Sequence, residues 1–151
     1  MWDVTKTLWL KKVPEWPELE NIADILGCGL ADFKDRWDKP IKGVSRILVS
    51  EATLFIWKLR NEQLFNHESD ELWLDQAEIH NRWLAVINAR LTLNQSATHS
   101  KYNQRAIKPK VVLDTWVKTL KNEAELPKNR ISTPRVLVDI TILEHQGGQT
   151  Y

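Results

Sequence analysis

Hydrophobic side chains recur every three to four positions through most of this chain, and that spacing predicts helices. The clearest case is the run Arg46–Glu62, RILVSEATLFIWKLRNE, which predicts a long helix over Val44–Asn66. Leu48, Ala52, Phe55, Ile56 and Leu59 form its stripe, widened by Ile47, Leu54 and Trp57, while Glu51, Lys58 and Glu62 mark a narrow wet face. A helix this apolar must be covered on most sides, so it is expected to be the central element. A second long helix is expected from about Asp70 to Leu93, with Trp73, Ala77, Leu84, Ile87 and Leu91 on its inner face. Ser69 is its expected N-cap, and Asp70 and Glu71 suit the positive end of the helix dipole. A short polar turn near Asn66–Ser69 should fold the two helices into an antiparallel hairpin.

Shorter elements flank this pair. Asp3–Lys12 predicts a short helix with Val4, Leu8 and Trp9 on one side, ended by Pro14 and Pro17. Leu19–Leu26 predicts another, stopped by Gly27 and Gly29, and Lys34–Gly43 reads as a loop. Asn94–Ile107 is polar and weakly patterned. Pro109 opens a further helix that ends before Pro127, with Leu113, Trp116, Val117 and Leu120 as its buried stripe. After it, Arg135–Leu143, RVLVDITIL, alternates as a β-strand would, yet no second strand offers a partner. The expectation is therefore a mainly α fold: a central antiparallel helical hairpin, additional shorter helices and one isolated strand candidate near the C-terminus. Residues 1–43 would be short helices and loops, 44–126 the helical core, and 127–151 an extended segment and flexible tail of the same single domain.

Composition narrows the function only by exclusion. Apolar residues at 42% and charged residues at 27% in 151 residues are ordinary for one folded domain, and a net charge of +1 selects neither nucleic acid nor membrane. No apolar run approaches the ~20 residues of a membrane span, and the N-terminus lacks the order of a secretory signal. The one cysteine, Cys28, excludes an internal disulfide and any multi-cysteine zinc site, so an intracellular chain, cytoplasmic or nuclear, is expected. Eight tryptophans are the compositional oddity. They are expected to anchor the core, with base stacking the functional alternative.

Charge is segregated along the chain. Residues 61–81 carry Glu62, Glu68, Asp70, Glu71, Asp75 and Glu78 with no Lys or Arg. From Arg82 to Lys121 the bases Arg82, Arg90, Lys101, Arg105, Lys108, Lys110, Lys118 and Lys121 face Asp114 alone. Such a basic stretch can meet a phosphate backbone, or it can simply be a solvated or internally paired surface. The residues chosen for phosphate contact are Arg90, Lys101, Arg105, Lys108 and Lys110. The acidic row Glu71, Asp75 and Glu78 reads as a solubilising helix face rather than a metal site. His67, His80, His99 and His145 have no zinc-site spacing, and no phosphate loop or nucleophile elbow occurs. No cofactor, no metal and no active site made by this chain alone are expected.

Five phrases in order, LGCGL (Leu26–Leu30), RILVSEATLFIWKLRNE, EIHNRWLAVINARL (Glu78–Leu91), VVLDTWVKTLKNEAELP (Val111–Pro127) and RVLVDI (Arg135–Ile140), carry a resemblance. Together with WDVTKTLW and WPE nearer the start, they resemble the C-terminal region of fungal non-LTR (LINE-like) retrotransposon proteins, downstream of the reverse transcriptase and RNase H domains. The resemblance implies a piece of a larger polyprotein beginning at an internal methionine: a degenerate element, a truncated gene model or a domesticated remnant. The acidic motifs of both family active sites, and the Cys/His segment expected upstream, are not in this sequence, so no catalytic residue carries over. The expected role is a non-catalytic accessory region that binds RNA or DNA backbone. The alternative is a helical protein-interaction scaffold using Val136–Ile142 as an edge strand, and no membrane partner is expected.

Overall fold

The computed structural model describes residues 2–13, 16, 43–66, 74–131, 133 and 136–139. Among the described residues four α-helices follow in order: α1 Trp2–Leu10, α2 Val44–Asn66, α3 Gln76–Ser96 and α4 Pro109–Trp116. Two short 3-10 turns, Ser100–Arg105 and Glu123–Glu125, follow α3 and α4. The fold is mainly α, as the periodicity predicts, and α2 has the bounds read from the sequence.

The antiparallel sense of α2 and α3 is written in their cross-links. Glu51, early on α2, reaches Arg90, late on α3, at 3.2 Å, while Glu62, late on α2, reaches Arg82, early on α3, at 2.9 Å. Between them the Phe55 and Trp83 rings pack 5.7 Å apart. Leu48, Ala52, Phe55 and Leu59 of α2 meet Trp83, Ile87 and Leu91 of α3 in one core. Leu8 and Trp9 of α1, Val112 and Trp116 of α4, and Ile131, Val136 and Val138 complete it. Trp9, Trp83 and Trp116 are core anchors, as expected, and Trp16 sits edge-on to Trp9 at 5.3 Å.

Several expectations fail, each for a local reason. Of the expected wet face of α2 only Lys58 is exposed: Glu51 and Glu62 are drawn to the α3 seam by arginines, and Leu54 and Trp57 turn outward with Arg46, Leu64 and Phe65. Trp57 is 61% exposed and Phe65 81%, so the far half of α2 is not covered on most sides. Helix α3 starts at Gln76 rather than Asp70, because the Asp75 carboxylate accepts the Glu78 N–H at 2.7 Å and caps the helix there. Ser69 is thus not the cap, and Ala77 is exposed instead of inward. Trp73, residues 67–69 of the expected Asn66–Ser69 turn and Leu19–Leu26 lie outside the described residues, as do Cys28 and most of Lys34–Gly43.

Pro109 takes the first position of α4, as its lack of an N–H favours. The helix then stops at Trp116, well short of Pro127, because Val117 is extended and Lys118 adopts φ +70°. Val112 and Thr115 join Trp116 on its buried side, whereas Leu113 and Val117 are only half-buried. Of the strand expected at Arg135–Leu143 only residues 136–139 are described, and they make a single antiparallel bridge, Leu120 to Val138. Its alternation is nonetheless real, with Val136 and Val138 buried and Leu137 exposed. The Val138 N–H donates to Asn88 Oδ1 at 2.8 Å rather than to a sheet neighbour, so a helix side chain replaces the missing strand.

Candidate nucleic-acid interface

The connection between α3 and α4 leaves and returns at one point: the Ile107 N–H donates to the Ala97 carbonyl at 2.9 Å. The intervening segment is a pinched surface loop, held internally by Tyr102 N–H to His99 O and Ala106 N–H to Asn103 O, both 3.1 Å. Its tip turns at Asn103, whose φ of 48° and ψ of −126° place a non-glycine residue in a region where asparagine is among the tolerated side chains.

Four of the five residues chosen from the sequence ride on this loop and its exit. Lys101 and Arg105 are in the 3-10 turn, Lys108 is the N-cap of α4 and Lys110 is in its first turn. All four are exposed, and among the described residues none has a carboxylate within ion-pairing distance. Lys101 Nζ lies 5.0 Å from the centroid of the exposed Tyr102 ring. That leaves an aromatic face beside a cation, a pairing that suits stacked bases.

The fifth residue, Arg90, does not belong to this group. It pairs with Glu51, whose side chain is largely buried, and its Nε is buried without a partner. Arg82 is likewise committed, to Glu62 at 2.9 Å and Glu78 at 2.7 Å, and these two carboxylates raise its pKa further above the ordinary arginine value. Internal pairing therefore removes Arg82 and Arg90 from the eight bases along 82–121, and four of the remaining six are Lys101, Arg105, Lys108 and Lys110.

Behind the loop lies an open cavity of about 540 Å³ lined by Thr92, Gln95, Thr98, His99, Pro109 and Thr133, among others. No sequence motif pointed to it. Its one signal is the run of hydroxyl residues in TLNQSATHS, Thr92–Ser100, where helical patterning fades. Among the described residues no three His, Cys, Asp or Glu side chains gather as a metal site. Asp75 and Glu78 of the acidic row are spent on the helix cap and on Arg82, and Glu71 lies outside the described residues. Among the described residues no helix is long and apolar enough to cross a membrane. No protein-family model, no curated protein and no solved structure matches the chain.

Proposed function

We propose that the chain is a non-catalytic nucleic-acid-binding accessory module, derived from the C-terminal region of a retrotransposon polyprotein. The observation that carries this reading is the group Lys101 and Arg105 on the pinched loop and Lys108 and Lys110 at the start of α4, four exposed cations without internal counter-charges among the described residues. Unpaired cations held in a fixed arrangement gain from phosphate contact because each neutralised phosphate releases a condensed counterion. Arg90, paired with Glu51, supports the hairpin instead.

The test is the salt dependence of binding to a short labelled duplex. Four phosphate contacts give a log–log slope of about −3.6, so affinity should fall on the order of a hundredfold between about 50 and 200 mM salt. Replacing all four cations by glutamine should flatten the slope, whereas Arg90→Gln should leave the slope intact and lower the unfolding midpoint. A salt-insensitive affinity, or none at low salt, refutes the proposal. The competing scaffold reading draws on the uncovered stripe Trp57, Leu64 and Phe65 of α2. It requires concentration-dependent sizing or capture of a polypeptide, and a strictly monomeric chain speaks against it.

A further inference from the structure

Helix α2 carries a second seam on the side turned away from the core. Ser50, Leu54, Trp57, Asn61 and Leu64 follow one another at alternating spacings of four and three, the rhythm of a helix-on-helix contact. Leu54, Trp57 and Leu64 are exposed, Asn61 is half-buried, and the exposed Phe65 widens the stripe. An open notch of about 350 Å³ is lined by Trp57, Lys58, Asn61, Glu62 and Phe65. Lys58, Asn61, Glu62 and Phe65 stand at i, i+3, i+4 and i+7, the four corners between which a facing helix inserts one side chain.

Charge restricts the occupant. Lys58 and Arg60 flank the seam on its two sides and Arg46 precedes it. All three are exposed, and among the described residues none has a carboxylate within ion-pairing distance. The two acids of α2 do not serve this face, because Glu51 is spent on Arg90 and Glu62 on Arg82. A second copy presents the same cations and no free carboxylate, so self-pairing here gains no charge contact. The Asn61 amide makes no side-chain hydrogen bond with the described residues. A lipid surface would bury that amide without a partner, whereas a facing helix can place a polar group opposite it.

We propose that the outer face of α2 docks an amphipathic helix of another protein, one with an apolar stripe at the same spacing and acidic residues on both flanks. Trp57 is the anchor, and Lys58 and Arg60 select the acidic flanks. The inference is independent of the nucleic-acid reading, with which it shares no residue.

The experiment uses the full chain and two labelled helical peptides with leucine and one asparagine at the seam positions, flanked by glutamate in one and by lysine in the other. Fluorescence anisotropy should show the glutamate peptide bound on the order of tenfold tighter, since two ion pairs replace two repulsions. Lys58→Glu combined with Arg60→Glu should reverse that preference. Trp57→Ala should weaken the glutamate peptide by about tenfold or more. These side chains are exposed, so the fold is retained, and an unchanged urea midpoint checks it. Replacing Lys101, Arg105, Lys108 and Lys110 by glutamine should leave the peptide preference intact, and its loss there overturns the assignment to α2. Equal binding of the two peptides, no binding of either at low salt, or a preference that survives the charge reversal also overturns it. Binding to vesicles of phosphatidylserine and phosphatidylcholine with neither peptide bound makes the occupant a lipid surface and overturns it too. Self-association that Trp57→Ala abolishes, with neither peptide bound, makes the occupant a second copy and does the same. None of these results touches the salt dependence of duplex binding, by which the nucleic-acid reading is judged separately.

Discussion

Gly43 precedes α2 with φ +119°, and its carbonyl accepts the Ile47 N–H at 2.9 Å. A Cβ placed there would stand 2.9 Å from Thr115 Oγ1 and 3.2 Å from its Cγ2. Thr115 cannot swing aside, because it is buried and its hydroxyl donates to the Val111 carbonyl at 2.8 Å. Gly43→Ala therefore meets two separate costs. Holding alanine at this φ takes about 1–3 kcal/mol, and forcing a methyl into a packed contact takes about 1–3 kcal/mol more. The stiffer unfolded chain returns about 0.4–1 kcal/mol. The net expectation is a loss of about 2–4 kcal/mol, measured by urea unfolding followed through tryptophan fluorescence. Thr115→Ala removes both close atoms and leaves only Cβ, 3.6 Å away. The double variant should thus recover the contact part, about 1 kcal/mol or more, but not the backbone part. If Gly43→Ala stays within about 0.5 kcal/mol of the parent, or the two substitutions simply add, then α2 and α4 are not in contact at this point.

Three further outcomes follow from single contacts. Lys12 donates to the Asp114 carbonyl at 2.5 Å and to the Thr115 carbonyl. Burial lowers its pKa to about 8 against the opposing pull of Glu123 and Asp114. Between that value and the ordinary 10.5 the unfolded chain binds the extra proton, so this group's contribution to stability should rise with pH through that window. Urea midpoints at pH 7 and pH 10 should converge in Lys12→Met relative to the parent, and parallel shifts would contradict the burial. Asn88→Ala leaves the Val138 N–H without its acceptor and should cost about 1–3 kcal/mol. Hydrogen exchange should then quicken over 136–139 more than elsewhere, whereas a uniform increase would mean that Asn88 does not hold this segment. Arg82→Met loses two half-exposed ion pairs, so it should cost under about 1 kcal/mol, and that cost should shrink in about 1 M salt. A larger, salt-independent loss would show that the arginine stem carries the packing.

Much of the local order was legible because local causes set it. Val44–Asn66 is helical from its periodicity, and Pro109 opens α4 because a helix start needs no N–H there. The start of α3 was misplaced because Ser69 and Asp75 are both good caps by type. The geometry shows that the Asp75 carboxylate accepts the Glu78 N–H and so starts the helix there. The end of α4 was missed because nothing in VKTLKNE forbids a helix; the bridge from Leu120 to Val138 and the Glu123 carboxylate on the Lys118 N–H take the chain elsewhere. In the candidate site, Lys101, Arg105, Lys108 and Lys110 could be chosen by charge, but the pairing of Arg90 could not. Glu51 is far away in sequence and meets it only across the hairpin.

The sequence by itself determined that this chain is helical, which tryptophans could anchor it and where positive charge collects, since each depends on residue type and short-range spacing. Tertiary structure alone decided which face of α2 stays wet, which arginines are spent internally and that a polar stretch between two helices closes in front of a cavity. Periodicity tells which side chains share a face. Whether another segment covers that face depends on contacts between residues far apart in the chain, and no local pattern records them.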